Sequence, residues 1–441
     1  MQCGSDRVNE RIFEIVGSVK NYKWGKRGNN SLVRQLTVNS LFLDSTSDDH
    51  YAELWFGTHP SGPSQVIPFS KKEHPELNSL AAHLYKDADA AIGNTNHVKL
   101  ANSIHLPFLF KVLSIRTALS IQTHPDAKLA KKLHQQYPEI YKDSKHKPEL
   151  VIALTNTLVM CGFRPLNEIA EFLRQTPELT MVIDKNIVNE FLYVCDTSPA
   201  SSHTKPLKRL FSALLCADKY TLSCAHRKLL ERMPSFQPND SALKKVLQAL
   251  LEDFFEDAGL LCAFLFNVIE LSPGEALFLK PNTIHAYISG DCIECMAASD
   301  NVIRAGLTQK YKDIDMVINT VNYKAERPKI LRGENLQDSF LFSPFERIYA
   351  PPVSEFQVGL LRLDQESHIY VLPALPAISI VLVYRGSGIL TRFPGHSPGY
   401  SYPLKTGRSY IIYKDTSVEI HVKEEIVLYR ACPSMLSSLP A

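Results

Sequence analysis

The chain has 441 residues, 45% hydrophobic and 21% charged, which is ordinary for a globular protein and long enough for roughly three domains. Forty-eight Lys and Arg against 46 Asp and Glu leave a net charge of +2, so no global field recommends nucleic acid or an anionic lipid surface as partner. The longest apolar stretches, such as 260–268, fall short of the ~20 residues that cross a bilayer, and no secretory signal is visible, so no membrane association is expected.

Nine cysteines, an odd number at irregular spacing, read as free thiols in a reducing, cytoplasmic setting rather than as a disulfide framework. Cys292-x-x-Cys295 has no second pair beside it and reads most simply as two cysteines without chemistry.

In chain order, the first 160 residues are rich in turn formers and short apolar runs. Residues 104–114 and 118–122 read as strands separated by a turn, with Pro107 at a strand start or edge. His124-Pro125-Asp126 then leads into a short helix over 126–136, with Asp126 near its N-cap. From about 165 to 260 the rhythm becomes helical. Leu207, Leu210, Phe211, Leu214 and Leu215 keep the i, i+3, i+4 spacing, and so do Leu243, Val246, Leu247, Leu250, Leu251, Phe254 and Phe255 behind an Asn239-Asp240-Ser241 cap signal. Strand texture returns at 268–271, 276–279 and 286–288. Past 330 the pattern is all β, at 358–363, 378–384, 409–413, 418–422 and 426–429, with 386–399 as a candidate surface loop.

Most of the chemistry is concentrated in three segments. Successive side chains of a strand alternate faces, so Gln122 and His124 in Ser120-Ile121-Gln122-Thr123-His124 point the same way, a natural half of a metal site. His146-Lys147-Pro148-Glu149 adds a carboxylate, and Asn282-Thr283-Ile284-His285 adds an imidazole at a turn-to-strand junction. Two His, a Glu and an oxygen donor suit zinc at an open catalytic position. The sequence does not show that these segments converge.

Together with Asn21-Tyr22-Lys23-Trp24-Gly25, the 51–59 block, the 107–113 block and the run from Gly290 through Asp300-Asn301-Val302-Ile303-Arg304 to Thr308, these segments resemble the type I phosphomannose isomerase family of zinc enzymes. The resemblance covers roughly residues 15–325. It implies a mainly β fold of two cupin-type (jelly-roll) barrels with an α-helical insertion. The catalytic barrel is expected over 1–163 and 263–329, the helical domain over 164–262, and a metal-free cupin-like domain over 330–441. It implies one Zn2+ per chain on Gln122, His124, Glu149 and His285, and interconversion of mannose 6-phosphate and fructose 6-phosphate through a cis-enediol, feeding mannose toward GDP-mannose. A cytoplasmic monomer with a small sugar-phosphate substrate is expected.

By the same resemblance the catalytic arginine falls on Arg304, and pocket positions on Trp24, Glu53, Lys111, Ser120, Lys147, Tyr287, Glu294, Asp300 and Lys310. Ser120, Lys111 and Lys310 are the candidates for the phosphate, with Arg304 shared between phosphate and chemistry. Glu294 is favoured as proton-transfer base, with Lys147 or a zinc-bound water as alternatives, and His146 is a candidate for opening the sugar ring. For Trp24, Glu53 and Tyr287, packing in the pocket wall fits as well as substrate contact. His368, His396 and His421 read as ordinary surface or packing residues, and the 434–441 tail has no assigned role. The competing readings are a catalytically silent sugar-phosphate-binding relative and an iron oxygenase. The complete ligand set with Arg304 speaks against the first, and Gln122 with the phosphate-suited cations against the second.

Overall fold

The computed structural model describes residues 10–38, 48–67, 78–92, 98–100, 102–197, 204–238, 241–336, 341–364, 369–393 and 401–435. The strand His285–Ala297 organises the sheet that carries the candidate site. Its first part pairs antiparallel with Thr157–Phe163, setting Cys161 opposite His285. Its second part pairs with Phe108–Ile115, setting Lys111 opposite Glu294, and on its other side with Glu149–Ala153, setting Glu149 opposite Met296. The changeover falls at Gly290, whose φ is +119°. A Cβ there would lie 2.6 Å from Thr157 Oγ1 and 2.8 Å from the Asn156 carbonyl, so only glycine lets the strand bend at this point.

Phe108–Ile115 is buried at every position, which is why it reads as a mostly apolar run, broken only by Lys111 and Ser114, rather than as an alternation. Its two faces feed different cores: Phe110 and Val112 pack in one cluster with Cys295, and Leu113 and Ile115 in another with Cys292. Cys292 and Cys295 therefore serve opposite faces of one strand and form no chelating pair. Pro107 stands between the strands Ser103–His105 and Phe108–Ile115 and divides the run expected as one strand.

Seven helices, from Leu166–Gln175 to Gly259–Cys262, make up the insertion among the described residues. Phe211, on the helix Thr204–Leu215, meets Phe163 and Phe266 at ring-centroid distances of 5.2 and 5.6 Å and locks the helices onto the sheet. The helix Ser241–Asp253 stops one residue before Phe254, so Phe254 and Phe255 lie beyond it although they keep its spacing. Asn239 and Asp240 lie outside the described residues.

The second sheet is built on Gln357–Leu363, Ser379–Phe393, Ser409–Ile412 and Ser417–Cys432. Two expectations change here. Residues 386–393, expected as loop, continue the strand and pair with Ser401–Lys405, while 394–399 lie outside the described residues. The 418–422 and 426–429 runs are one strand, Ser417–Cys432. The apparent turn signal at Gly386 is a bulge: its φ is +95°, and a Cβ would lie 1.9 Å from the Glu425 carbonyl. His421 lies on this strand with Nε2 3.1 Å from Glu419, while His368, His396 and 436–441 lie outside the described residues. The strand Ile12–Val16 also belongs to this sheet, Ile12 opposite Ile412. The architecture is mainly β with a helical insertion, as expected, and no helix among the described residues is long and apolar enough to cross a membrane.

Candidate active site

Two short strands and the start of the long strand His285–Ala297 bring the site together. Gln122 in Ile121–Thr123 lies opposite His285 on one side and opposite Arg304 of Ile303–Gly306 on the other. His124 follows that strand, and the Asp126 cap of the next helix, accepting from Leu129 N at 2.8 Å, fixes the turn after it. His124, Glu149 and His285 are all buried, with one ligand-type atom of each lying within 4.8 Å of the others.

The hydrogen bonding of this trio settles its chemistry. His124 Nδ1 donates to the Asn301 carbonyl at 2.7 Å, and His285 Nδ1 to the Thr283 carbonyl at 2.9 Å. A carbonyl only accepts, so Nδ1 carries the proton, and in the neutral ring Nε2 is a bare lone pair. Burial disfavours the charged form of His124, pushing its pKa down against the pull of Glu149. Its Nε2 lies 3.2 Å from Glu149 Oε1, and His285 Nε2 lies 3.4 Å from Oε2. Both Nε2 atoms and Oε2 are buried without a hydrogen bond among the described residues. Lone pairs facing carboxylate oxygens repel unless a cation stands between them. Ligand atoms on a tetrahedral zinc are ~3.3 Å apart for bonds of ~2.0–2.1 Å, so this donor set fits zinc in spacing and in kind. Burial opposes ionisation of Glu149, yet the Lys147 ammonium, 3.2 Å from Oε1, helps to hold its carboxyl well below the usual carboxylate range.

A cavity of about 910 Å³ opens beside Glu149. Of the residues predicted from sequence, Trp24, Glu53, Lys111, Ser120, Gln122, Lys147, Glu149, Glu294, Asp300, Arg304 and Lys310 line it. Tyr287 lies behind the wall, fully buried beside His285, with burial and Glu294 raising its pKa. His146 does not line the cavity: its ring is turned to Glu355, Nε2 to Oε1 at 2.5 Å. Lys111, expected beside a phosphate, is committed to two buried carboxylates, Glu294 Oε2 at 2.8 Å and Glu53 Oε2 at 3.8 Å. Burial works to lower its pKa, but the two carboxylates outweigh it and the net shift is upward. Glu53, which also accepts from Trp55 Nε1, is raised by burial against the pull of Lys111. Arg304 is half-buried, with burial depressing its pKa and no carboxylate partner among the described residues.

A family model described as phosphomannose isomerase type I, catalytic domain, matches residues 12–166, and one described as its helical insertion domain matches residues 182–266. Mannose-6-phosphate isomerase 1 of Arabidopsis thaliana is 37% identical over 97% of this chain and 95% of its own length. The chain belongs to the type I phosphomannose isomerase family.

Mannose-6-phosphate isomerase of Homo sapiens is 33% identical, covering 96% of this chain and 98% of its own. Mannose 6-phosphate isomerase from Salmonella typhimurium, solved bound to substrate (f6p) and zinc, superposes with a TM-score of 0.78 at 28% identity, covering 96% of this chain and 100% of that one. The likeness bears out the cupin fold expected for the phosphomannose isomerase resemblance.

Three contributions to this phosphomannose isomerase site escape sequence reasoning. Asn301 holds His124 through its carbonyl, while its side chain donates to the Asp143 and Lys145 carbonyls at 2.6 and 2.8 Å. His59 Nε2 lies 3.4 Å from Asp300 Oδ1 and lowers the pKa of that carboxyl. Arg116 pairs at 3.1 Å with Asp253 of the helical insertion, and both line the cavity. Asn301 stands in the recognised Asp300-Asn301 block, so its position was visible though its role was not. His59 and Asp300 also stand in recognised blocks, but their pairing, like that of Arg116 with Asp253, joins residues far apart in sequence and leaves no local signal.

Proposed function

We propose that the chain is a zinc-dependent aldose–ketose isomerase interconverting mannose 6-phosphate and fructose 6-phosphate. The observation that carries this reading is the pair of imidazoles fixed with bare Nε2 atoms against the two oxygens of Glu149, at the edge of a cation-lined cavity. His124, Glu149 and His285 would hold the ion, with Gln122, adjacent in register to His285, as fourth ligand. When bound there, zinc polarises the sugar oxygens at C1 and C2 and stabilises the negative charge that develops on them.

The chain's own residues do the rest. Arg304 and Lys310, with the Ser120 hydroxyl, receive the substrate's phosphate, and Arg304 also faces the charge that builds as the enediol forms. Glu294 moves the proton between C1 and C2. Lys111 orients the Glu294 carboxylate rather than binding phosphate, which is why a buried ammonium is retained there. Lys147, beside Glu149, adds positive charge to the oxygen side of the substrate. Trp24, Glu53 and Asp300 shape the wall, and Tyr287 backs it.

The division into 1–163, 164–262, 263–329 and 330–441 belongs to the same reading. It is supported by helices from Leu166 to Cys262 between strands of one sheet. A cytoplasmic monomer is proposed with it, supported by eight described cysteines that are all free.

The test is a coupled assay on mannose 6-phosphate, with metal analysis of the same sample. Chelation should abolish isomerisation and zinc should restore it. Turnover untouched by a strong chelator would sink the metal assignment, and a zinc-loaded but inactive protein would favour the silent relative.

A further inference from the structure

The strand Ile303–Gly306 delivers Arg304 to the cavity, and the chain must then turn at once to place Lys310 on the same wall. It does so through Leu307, whose φ of +53° is a left-handed conformation that a bulky L residue avoids unless something else holds it. The loop is closed at its base by a hydrogen bond from Asp313 N to the Arg304 carbonyl, 3.1 Å. Its far side is held by a residue from outside the loop. Leu307 N donates to Asp257 Oδ1 at 2.9 Å, the same oxygen accepts from Gly259 N at 2.8 Å, and Oδ2 faces Lys312 Nζ at 3.4 Å. The carboxylate fits into a gap left by two glycines: a Cβ on Gly306 would lie 2.7 Å from Oδ1, and one on Gly259 2.9 Å.

Asp257 is itself held. Its N–H donates to the Phe254 carbonyl at 3.1 Å, and it follows Glu256, with φ +80°, whose N–H donates to buried His226 Nδ1 at 3.2 Å. Asp253, the last residue of the helix Ser241–Asp253, and Phe254, just after it, line the same cavity.

We infer that Asp257 is a positioning residue through which the helical insertion fixes the anion-binding segment 304–310; the inference rests on the reading of that cavity as a sugar-phosphate site. Asp257 does not line the cavity. It acts by holding Leu307 in a conformation the chain would otherwise leave, and so sets where Arg304 and Lys310 stand.

The experiment compares the zinc-loaded parent, Asp257→Ala and Asp257→Asn. It measures kcat and KM for mannose 6-phosphate, and inorganic phosphate binding by calorimetry. Displacing positioned groups by about 1 Å costs on the order of 100-fold, so Asp257→Ala should lower kcat/KM by about 10- to 100-fold and weaken phosphate binding by about fivefold or more, with zinc content unchanged. Asp257→Asn keeps an acceptor oxygen for Leu307 N and should stay within about threefold of the parent. An Asp257→Ala enzyme within about threefold of the parent, or equal damage in both variants, overturns the inference. If Asp257→Ala does not fold, Gly306→Ala, whose Cβ displaces the same carboxylate, should show the same fall, and parent-like kinetics there overturn it. A parent without isomerase activity would count against the functional reading alone, because the phosphate titration still tests the positioning.

Discussion

Arg304→Ala removes a half-buried guanidinium that no carboxylate neutralises among the described residues. Burial lowers its pKa without an ion pair in return, so the folded protein carries a desolvation cost that is recovered only when an anion comes alongside. Removing the group should therefore leave stability unchanged or slightly raised, unlike the truncation of a paired buried charge, which costs ~3–5 kcal/mol. The functional loss works the other way. A hydrogen bond to a charged partner contributes ~1.5–3 kcal/mol, and loss of a donor aimed at charge that builds in the transition state costs ~2.7–4 kcal/mol, or about 100- to 1000-fold in kcat. Arg304 lies opposite Gln122, the proposed fourth ligand, on the neighbouring strand, so this guanidinium stands beside the proposed zinc site without belonging to the His124, Glu149 and His285 trio. The assay is steady-state isomerisation of mannose 6-phosphate, with zinc content and thermal midpoint measured on the same preparation. The expected result is kcat down by about 100-fold or more with zinc and midpoint unchanged. A kcat within about fivefold of the parent would remove Arg304 from the chemistry, and a parallel loss of zinc would show that its role is structural.

His285→Ala leaves Glu149 facing one imidazole, and zinc and turnover should both disappear from metal analysis and assay. Asn301→Ala deletes the two hydrogen bonds that fix the carbonyl orienting His124, and chelator competition should show zinc affinity falling by about 10- to 100-fold. Phe211→Ala empties the joint between helices and sheet and should cost ~3–5 kcal/mol, read by chemical denaturation. The His146–Glu355 pair raises the histidine's pKa, chiefly through their hydrogen bond, and lowers the glutamate's through the same bond. Its stabilisation through His146 is therefore complete below the ordinary histidine range and lost as pH rises through the raised value, while the glutamate's share is lost as acid protonates it. Thermal midpoints taken from about pH 5 to about 8 should show this alkaline loss in the parent and not in Glu355→Gln.

The candidate trio His124, Glu149 and His285 could be singled out because each stands in a short segment with a local signal, strand alternation with Gln122 for His124, a charged run before an apolar strand for Glu149 and a turn-to-strand junction for His285, but only the family resemblance joined them into one site. The helical insertion was legible through its spacing, though Phe254 and Phe255 continue that spacing past the end of their helix. Gly386 misled because a bulge and a turn demand the same glycine, and only the partner strand distinguishes them. His146 misled because its neighbours in sequence face the site while its ring reaches Glu355, more than 200 positions away, with |i−j| of 209. Such long-range pairings are set by topology, and local composition carries no trace of them.

The strand Ile12–Val16 has a consequence for the order of assembly. It pairs on one side with Gln65–Val66 and on the other with Ser409–Ile412, and Glu14 meets Arg408 across 394 positions of sequence. During synthesis this strand emerges nearly 400 residues before its second neighbour. Until Ser409–Ile412 leaves the ribosome, one edge of Ile12–Val16 stands open, with the exposure to wrong partners that open edges bring. Closure of so long a loop places this sheet late in folding. The residues proposed to bind metal and substrate all lie between these two strands in sequence, so this sheet closes only after the parts of that site have been made.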